Sequence, residues 1–209
     1  MPDDSPLIVS RTGVRAKHAA SLIVLRYDND EPHMLMGMRG AKHRFMPNRL
    51  VFPGGRVDPA DLTAPFATPL SPATEHGLRK NSYAKLAVGL AAAAARELLE
   101  ETGLSLGDPP RLDVLSYLAR AVTPPGLPIR FNARFFVVEE RFVSGEIGGD
   151  GELDGLRFYG MTEALALELA LPTRRVLERL TLWLALPEEQ RNEHHATPVL
   201  LRDRGWVME

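Results

Sequence analysis

Ala19–Leu25 (AASLIVL) is an unbroken run of aliphatic and β-branched residues, the pattern of a strand buried on both faces. His33–Met38 predicts a second strand after the turn residues Asp28, Asn29 and Asp30. Leu50-Val51-Phe52 predicts a third, stopped by Pro53-Gly54-Gly55, which a regular element does not accommodate in its interior. From Pro59 to about Lys80 the periodicity fades: Pro59, Pro65, Pro69, Pro72 and Gly77 predict a loop or insertion. Ala84–Thr102 is rich in Ala, Leu and Glu and predicts a helix ended by Gly103. Val114–Val122 and Phe131–Val138 predict two strands joined through Thr123-Pro124-Pro125-Gly126. Gly145–Gly155 predicts an acidic surface loop, Leu156–Tyr159 a strand, Pro172–Leu186 a helix and Gly205-Trp206-Val207 a last short strand. Strands mixed with a few helices predict an α/β/α sandwich.

Composition narrows the chemistry. At 209 residues the chain falls between one and two domains, and 25 Lys+Arg against 27 Asp+Glu leave a net charge of −2. That balance gives no reason to expect a nucleic acid polymer as partner. The absence of cysteine excludes disulfides, thiolate zinc sites, iron–sulfur clusters and a cysteine nucleophile. Any metal must be held by carboxylate, imidazole or carbonyl. The acidic start Met-Pro-Asp-Asp-Ser is unlike a secretory signal, and the longest apolar run, around Leu86–Ala95, is too short to span a membrane. A cytoplasmic protein is expected.

The informative segment is Arg96-Glu97-Leu98-Leu99-Glu100-Glu101-Thr102-Gly103-Leu104. At about 100° per residue, Glu97, Glu100 and Glu101 share an arc of about 100° on one helix face. Like charges so placed cost a helix roughly 0.2–0.5 kcal/mol per pair. Arg96 is the local cation, and the turn before carries Ala93 and Ala94 rather than neutralising lysines. Clustered oxygen donors suit a hard divalent ion, Mg²⁺ or Mn²⁺; a solvated acidic face is the plainer alternative. Upstream, Gly54 and Gly55 let bare backbone approach a ligand or a helix.

With these residues in view, the chain resembles the Nudix hydrolases, whose signature is G-x5-E-x7-R-E-U-x-E-E-x-G-U, U being aliphatic. Arg96, Glu97, Leu98, Glu100, Glu101, Gly103 and Leu104 match its second half, and Gly55 matches its opening glycine. Asp61 stands where the family has Glu, and the seven-residue spacer is replaced by Leu62–Ala95. A strict pattern would miss the chain. Leu35, Arg39, Arg44 and Phe52-Pro53-Gly54-Gly55 also resemble the pattern of coenzyme A diphosphatases in that family, with Met36, Gly37, Gly40 and Asn48 as departures. Phe45-Met46-Pro47, Arg130–Phe136 and Pro172-Thr173-Arg174-Arg175 resemble the peroxisomal branch of those enzymes.

The resemblance implies a single Nudix-type α/β/α domain over residues 1–209, with a mixed sheet and an insertion at about 62–85. It implies hydrolysis of a nucleoside diphosphate linked to another group, with coenzyme A or an acyl derivative the leading substrate. Arg96, Glu97, Glu100 and Glu101 would be catalytic, with Glu97, Glu100, Glu101 and the Gly54 carbonyl holding Mg²⁺ or Mn²⁺. One of these carboxylates, or one from a downstream loop, would be the general base. Arg39, Arg44, Gly54 and Gly55 would bind substrate, and dimers being common in the family, a homodimer is admitted. Asp61 is weighed as ligand or base against a helix cap or turn residue. His194 and His195 read as solvated, Phe135, Phe136 and Trp183 as core, and Thr123-Pro124 as a turn near the pocket. The rival is a Nudix-fold module that binds its ligand without cleaving it, the insertion covering the pocket.

Overall fold

The computed structural model describes residues 13–40, 48–191, 198–201 and 205–208. Its axis is β1 (Lys17–Asp28), which contains the predicted apolar run. Leu22 and Val24 enter one core cluster and Ile23 and Leu25 the other, because successive side chains of a strand point to opposite faces. A parallel partner, β6 (Phe131–Glu139), covers one edge of β1 from Lys17 to Leu25.

The other edge of β1 is shared. Near the turn at Asn29 and Asp30, β2 (Glu31–Arg39) pairs with β1, with Leu25 opposite Met34. The two strands then diverge, and residues 50–56 fill the fork. β3 (Leu50–Val51) runs along β2, with Gly37 opposite Val51. The chain reverses at Phe52-Pro53, where the Leu22 N–H donates to the Pro53 carbonyl at 3.0 Å. β4 (Gly54–Arg56) returns along β1, with Ser21 opposite Gly54 and Ala20 opposite Gly55. Gly54 and Gly55 are therefore strand residues, against the sequence expectation. A glycine pair is tolerated here because packing leaves no room for side chains: a Cβ on Gly54 would lie 2.4 Å from the Ala20 carbonyl oxygen.

Two helices make the layer over one face. The long one, α2 (Ala84–Thr102), has the predicted limits and ends at Gly103, whose φ of 75° lets its N–H reach the Leu99 carbonyl. Ala91, Ala93 and Ala94 are fully buried on the sheet side, so small residues set the helix close to β1 and β4. Before it comes α1 (Pro72–Arg79), where the sequence predicted a loop. The missed signal is Ser71-Pro72: Ser71 caps the Thr74 N–H and Pro72 takes the first turn. A 3-10 turn at Ala60–Thr63 also lies in that stretch. The segment packs against α2 and the approach to β5 (Ser116–Val122): the Ala67 N–H donates to the Pro110 carbonyl, the Leu112 N–H to the Thr68 carbonyl and the Thr74 hydroxyl to the Leu115 carbonyl.

β5 pairs antiparallel with β6. Beyond β6, the 145–152 loop caps α2 before β7 (Leu153–Gly160) pairs with β2, so the predicted loop ends earlier and the strand starts earlier than expected. α3 (Met161–Ala166) and α4 (Leu171–Leu184) make the layer on the second face, with Val176, Leu177, Leu180 and Trp183 in its core. A short α5 (Glu188–Arg191), β8 (Pro198–Leu201) and β9 (Gly205–Met208) follow, and β8 pairs parallel with β5. Neither α3 nor β8 was anticipated, being too short to show a period. Among the described residues the result is a mixed nine-stranded sheet between helical layers. Among the described residues no helix is long and apolar enough to cross a membrane.

Replacing Ala94 with Leu adds three carbons where helix and sheet already touch. Unfolding by urea is expected to show a loss of about 1–3 kcal/mol.

Candidate functional site

The fork between β1 and β2 delivers the Gly54-Gly55 backbone to the C-terminal turns of α2. The Gly54 N–H donates to Glu101 Oε2 at 2.7 Å. A Cβ on Gly55 would sit 2.2 Å from Glu97 Oε1, so only glycine leaves Glu97 its place. Glu101 is 2% exposed, whereas the Glu100 side chain is 50% exposed at the rim. The three carboxylates of the predicted face thus line one site but sit at different depths.

Arg96 organises two of them. Its Nη1 donates to Glu97 Oε1 and Glu100 Oε2, both at 2.9 Å. Its Nε and Nη2 donate to the two oxygens of Asp61 at 3.0 and 3.1 Å, and Nη2 also to the Arg56 carbonyl at 3.0 Å. Asp61 is itself buried and accepts the Asp58 N–H at 2.7 Å. Neither reading of Asp61 from sequence included this fork-to-fork pair with Arg96, because 35 residues separate the partners. The bond to Asp61 is the main cause that raises the Arg96 pKa above its usual value.

Arg39, at the end of β2, is a second cation at the site. Its Nη2 lies 3.4 Å from the Gly54 carbonyl and 3.6 Å from Glu101 Oε1. Arg44 lies outside the described residues, as do Phe45-Met46-Pro47 and His194-His195. Thr123 serves the turn between β5 and β6, its hydroxyl accepting the Phe131 N–H at 3.0 Å. Phe135, Phe136 and Trp183 are core residues.

The acidic glycine loop after β6 supplies what the spacing did not single out. Gly148 and Asp150 donate their N–H groups to the Thr102 and Glu100 carbonyls, at 2.8 and 3.0 Å, closing the end of α2. Gly149 lies so close that a Cβ there would be 2.2 Å from the Glu101 carbonyl oxygen. This brings Glu152 near enough for its charge to raise the pKa of both Glu97 and Glu101. Composition marked the loop as acidic, but no motif pointed to Glu152.

Burial dominates the electrostatics. It pushes the Glu101 carboxyl up to about 7 from its ordinary 4.5, against the Gly54 N–H and Arg39, which favour the anion. Glu97 is raised in the same direction, again mainly by burial. Hard oxygen donors around a buried, incompletely compensated negative charge fit a divalent cation. Yet among the described residues no three acidic or histidine side chains are placed to hold one. Glu97 and Glu100 are turned onto Arg96, and a shared ion would require them to turn away.

Comparison with known proteins follows this geometry. The NUDIX domain family matches residues 87–180, starting only after the insertion. The structure of a Nudix hydrolase from Alicyclobacillus acidocaldarius superposes with a TM-score of 0.61 at 25% identity, covering 78% of this chain and 90% of that one. A MutT Nudix hydrolase from Burkholderia pseudomallei gives 0.52 at 18% identity, over 80% and 99% of the two chains. The Nudix domain of Shewanella oneidensis NrtR, solved with ADP ribose, gives 0.54 at 13% identity, over 82% and 90%. The last two likenesses are of fold alone. No curated protein matches the chain by sequence.

The Glu101 shift sets a pH dependence of stability for the metal-free protein. Between pH 4.5 and about 7 the folded state keeps a proton that the unfolded chain has released. Stability therefore falls as pH rises through that window, by on the order of 3 kcal/mol, and this group adds nothing further above it. Denaturant unfolding in EDTA is expected to show the decline. Glu101→Gln, which keeps an acceptor for the Gly54 N–H, is expected to flatten it, and an unchanged slope in the variant would assign the effect elsewhere.

Proposed function

On a chain that carries a Nudix domain with its fold, we propose a divalent-cation-dependent hydrolase of the diphosphate linkage in a nucleoside diphosphate joined to a further group. Coenzyme A or an acyl-coenzyme A is the leading candidate substrate. The observation that carries the reading is the buried Glu101 carboxylate against the Gly54-Gly55 backbone, with Glu97 beside it and Glu100 at the rim. Arg96 compensates Glu97 and Glu100, but the buried Glu101 has only the Gly54 N–H and a distant Arg39, and a cation would relieve it. The whole chain is read as one domain acting on a small molecule, with a homodimer as an admitted assembly.

In this reading Glu97, Glu100, Glu101 and the Gly54 carbonyl hold Mg²⁺ or Mn²⁺. A bound ion would neutralise charge on the phosphoryl oxygens and lower the pKa of a water, giving a hydroxide that an unassisted diphosphate anion would repel. Arg96, fixed by Asp61, orients Glu97 and Glu100. Glu152 is the downstream carboxylate best situated to accept the proton of the attacking water, since its charge reaches both Glu97 and Glu101. Arg39 and Arg44 offer guanidinium forks to the phosphates. Coenzyme A as the group in view rests on the spacing of Leu35, Arg39, Arg44 and Phe52–Gly55. The rival, a module that binds such a nucleotide without cleaving it, is favoured by one observation: Glu97 and Glu100 face Arg96 rather than Glu101.

A hydrolysis screen with Mg²⁺ or Mn²⁺ should separate the readings, using coenzyme A, acyl-coenzyme A, NADH, ADP-ribose and dinucleoside polyphosphates. Release of a phosphorylated product from at least one is expected. Glu97→Gln, Glu100→Gln and Glu101→Gln should each lower kcat by about two orders of magnitude or more without lowering the melting temperature. Heat of binding without product from any substrate would establish the rival.

A further inference from the structure

The two arginines facing the carboxylates of α2 are held very differently. Arg96 uses all five N–H donors, at 2.9–3.1 Å, on Asp61, Glu97, Glu100 and the Arg56 carbonyl. It has no donor left for a substrate. The main chain of Arg39 is also fixed, its N–H donating to the Arg49 carbonyl at 3.0 Å and its carbonyl accepting from Asn48 at 2.9 Å. Its guanidinium is not. Among the described residues its polar contacts are the Gly54 carbonyl and Glu101, at 3.4 and 3.6 Å, both through Nη2. Charge-assisted bonds of full strength are about 2.7–2.9 Å long, so these are weak and cheap to break.

The two oxygens that Arg39 touches are the Gly54 carbonyl and Glu101 Oε1. Both belong to the set that would hold a divalent ion in the reading above, on which this inference rests. We infer that Arg39 is an internal counterion stationed on the metal-binding oxygens, displaced when a divalent cation loads and thereby released to the substrate's diphosphate. A guanidinium and a divalent cation compete for one buried carboxylate, and the cation brings twice the charge. The displaced guanidinium then has an unused fork beside the ion, where a diphosphate would lie, and that anion offers oxygens in the matching geometry. Ion and anion each tighten the other's binding through this single side chain, as linkage requires. Arg39 is thus a positioning residue that couples loading of the ion to capture of the substrate.

The test measures Mn²⁺ binding to the full chain, from the electron paramagnetic resonance signal of the free ion, for wild type and Arg39→Met. Without substrate, the variant is expected to bind Mn²⁺ about tenfold tighter, having lost the competitor. At saturating Mn²⁺, its affinity for methylenediphosphonate is expected to be about tenfold weaker than that of wild type. Arg39→Lys, with the charge on a shorter reach, is expected to fall between the two in both measurements. If the Met variant does not fold, Arg39→Gln removes the same charge while keeping a donor for the Gly54 carbonyl. Equal or weaker Mn²⁺ binding by the charge-free variant, with Mn²⁺ bound by wild type, overturns the inference alone. Failure of Mn²⁺ to bind either protein overturns the metal-dependent reading and the inference together.

Discussion

Backbone at Gly54 and Gly55 comes closer to the carboxylates of α2 than any side chain would allow, and the rest of the site depends on that approach. The Gly54 N–H reaches Glu101, and Glu97 fills the volume that a Cβ on Gly55 would need. Two features make room for it. Divergence of β1 from β2 leaves a fork in which residues 50–56 reverse direction, and buried alanines let α2 settle close to β1 and β4. Glu97 and Glu101 are therefore held against the sheet, where water screens them poorly, while Glu100 stays at the rim.

That position has an electrostatic cost, and the structure meets it unevenly. Arg96 satisfies Glu97 and Glu100 while Asp61 fixes Arg96 from the far side. Glu101 receives one N–H and a distant guanidinium, which do not offset its burial. Glu101, buried and only partly compensated, is therefore held with its carboxyl well above the usual range.

The stretch between Asp61 and Arg96 does not keep these two residues apart. Asp61 and Arg96 meet across 35 residues, so the inserted stretch leaves the site at one end of this pair and returns at the other. Between them it forms α1, which packs on β5 and α2, and the first turns of α2. Similarly, the loop at 145–152 is tied to the end of α2 by backbone bonds, which is how Glu152 joins carboxylates some fifty residues upstream.

The sequence by itself determined the elements with a strong period or propensity: the β1 apolar run, the limits of α2 with its glycine stop, and the acidic face of Glu97, Glu100 and Glu101. These are local properties, set by residues within a few positions of one another. It also carried the second half of the family motif, which is contiguous. Some short elements were not legible: α3 and β8 showed no pattern, and the Ser71-Pro72 cap of α1 was hidden among other prolines. Tertiary structure alone decided that Gly54-Gly55 would be a strand in a fork, that Asp61 would grip Arg96, that Glu152 would come near the glutamates, and that Arg39 would lie against the Gly54 carbonyl and Glu101. Each of these is a contact between residues far apart in the chain, and its energy comes from packing and desolvation that exist only once the sheet and α2 have closed on each other.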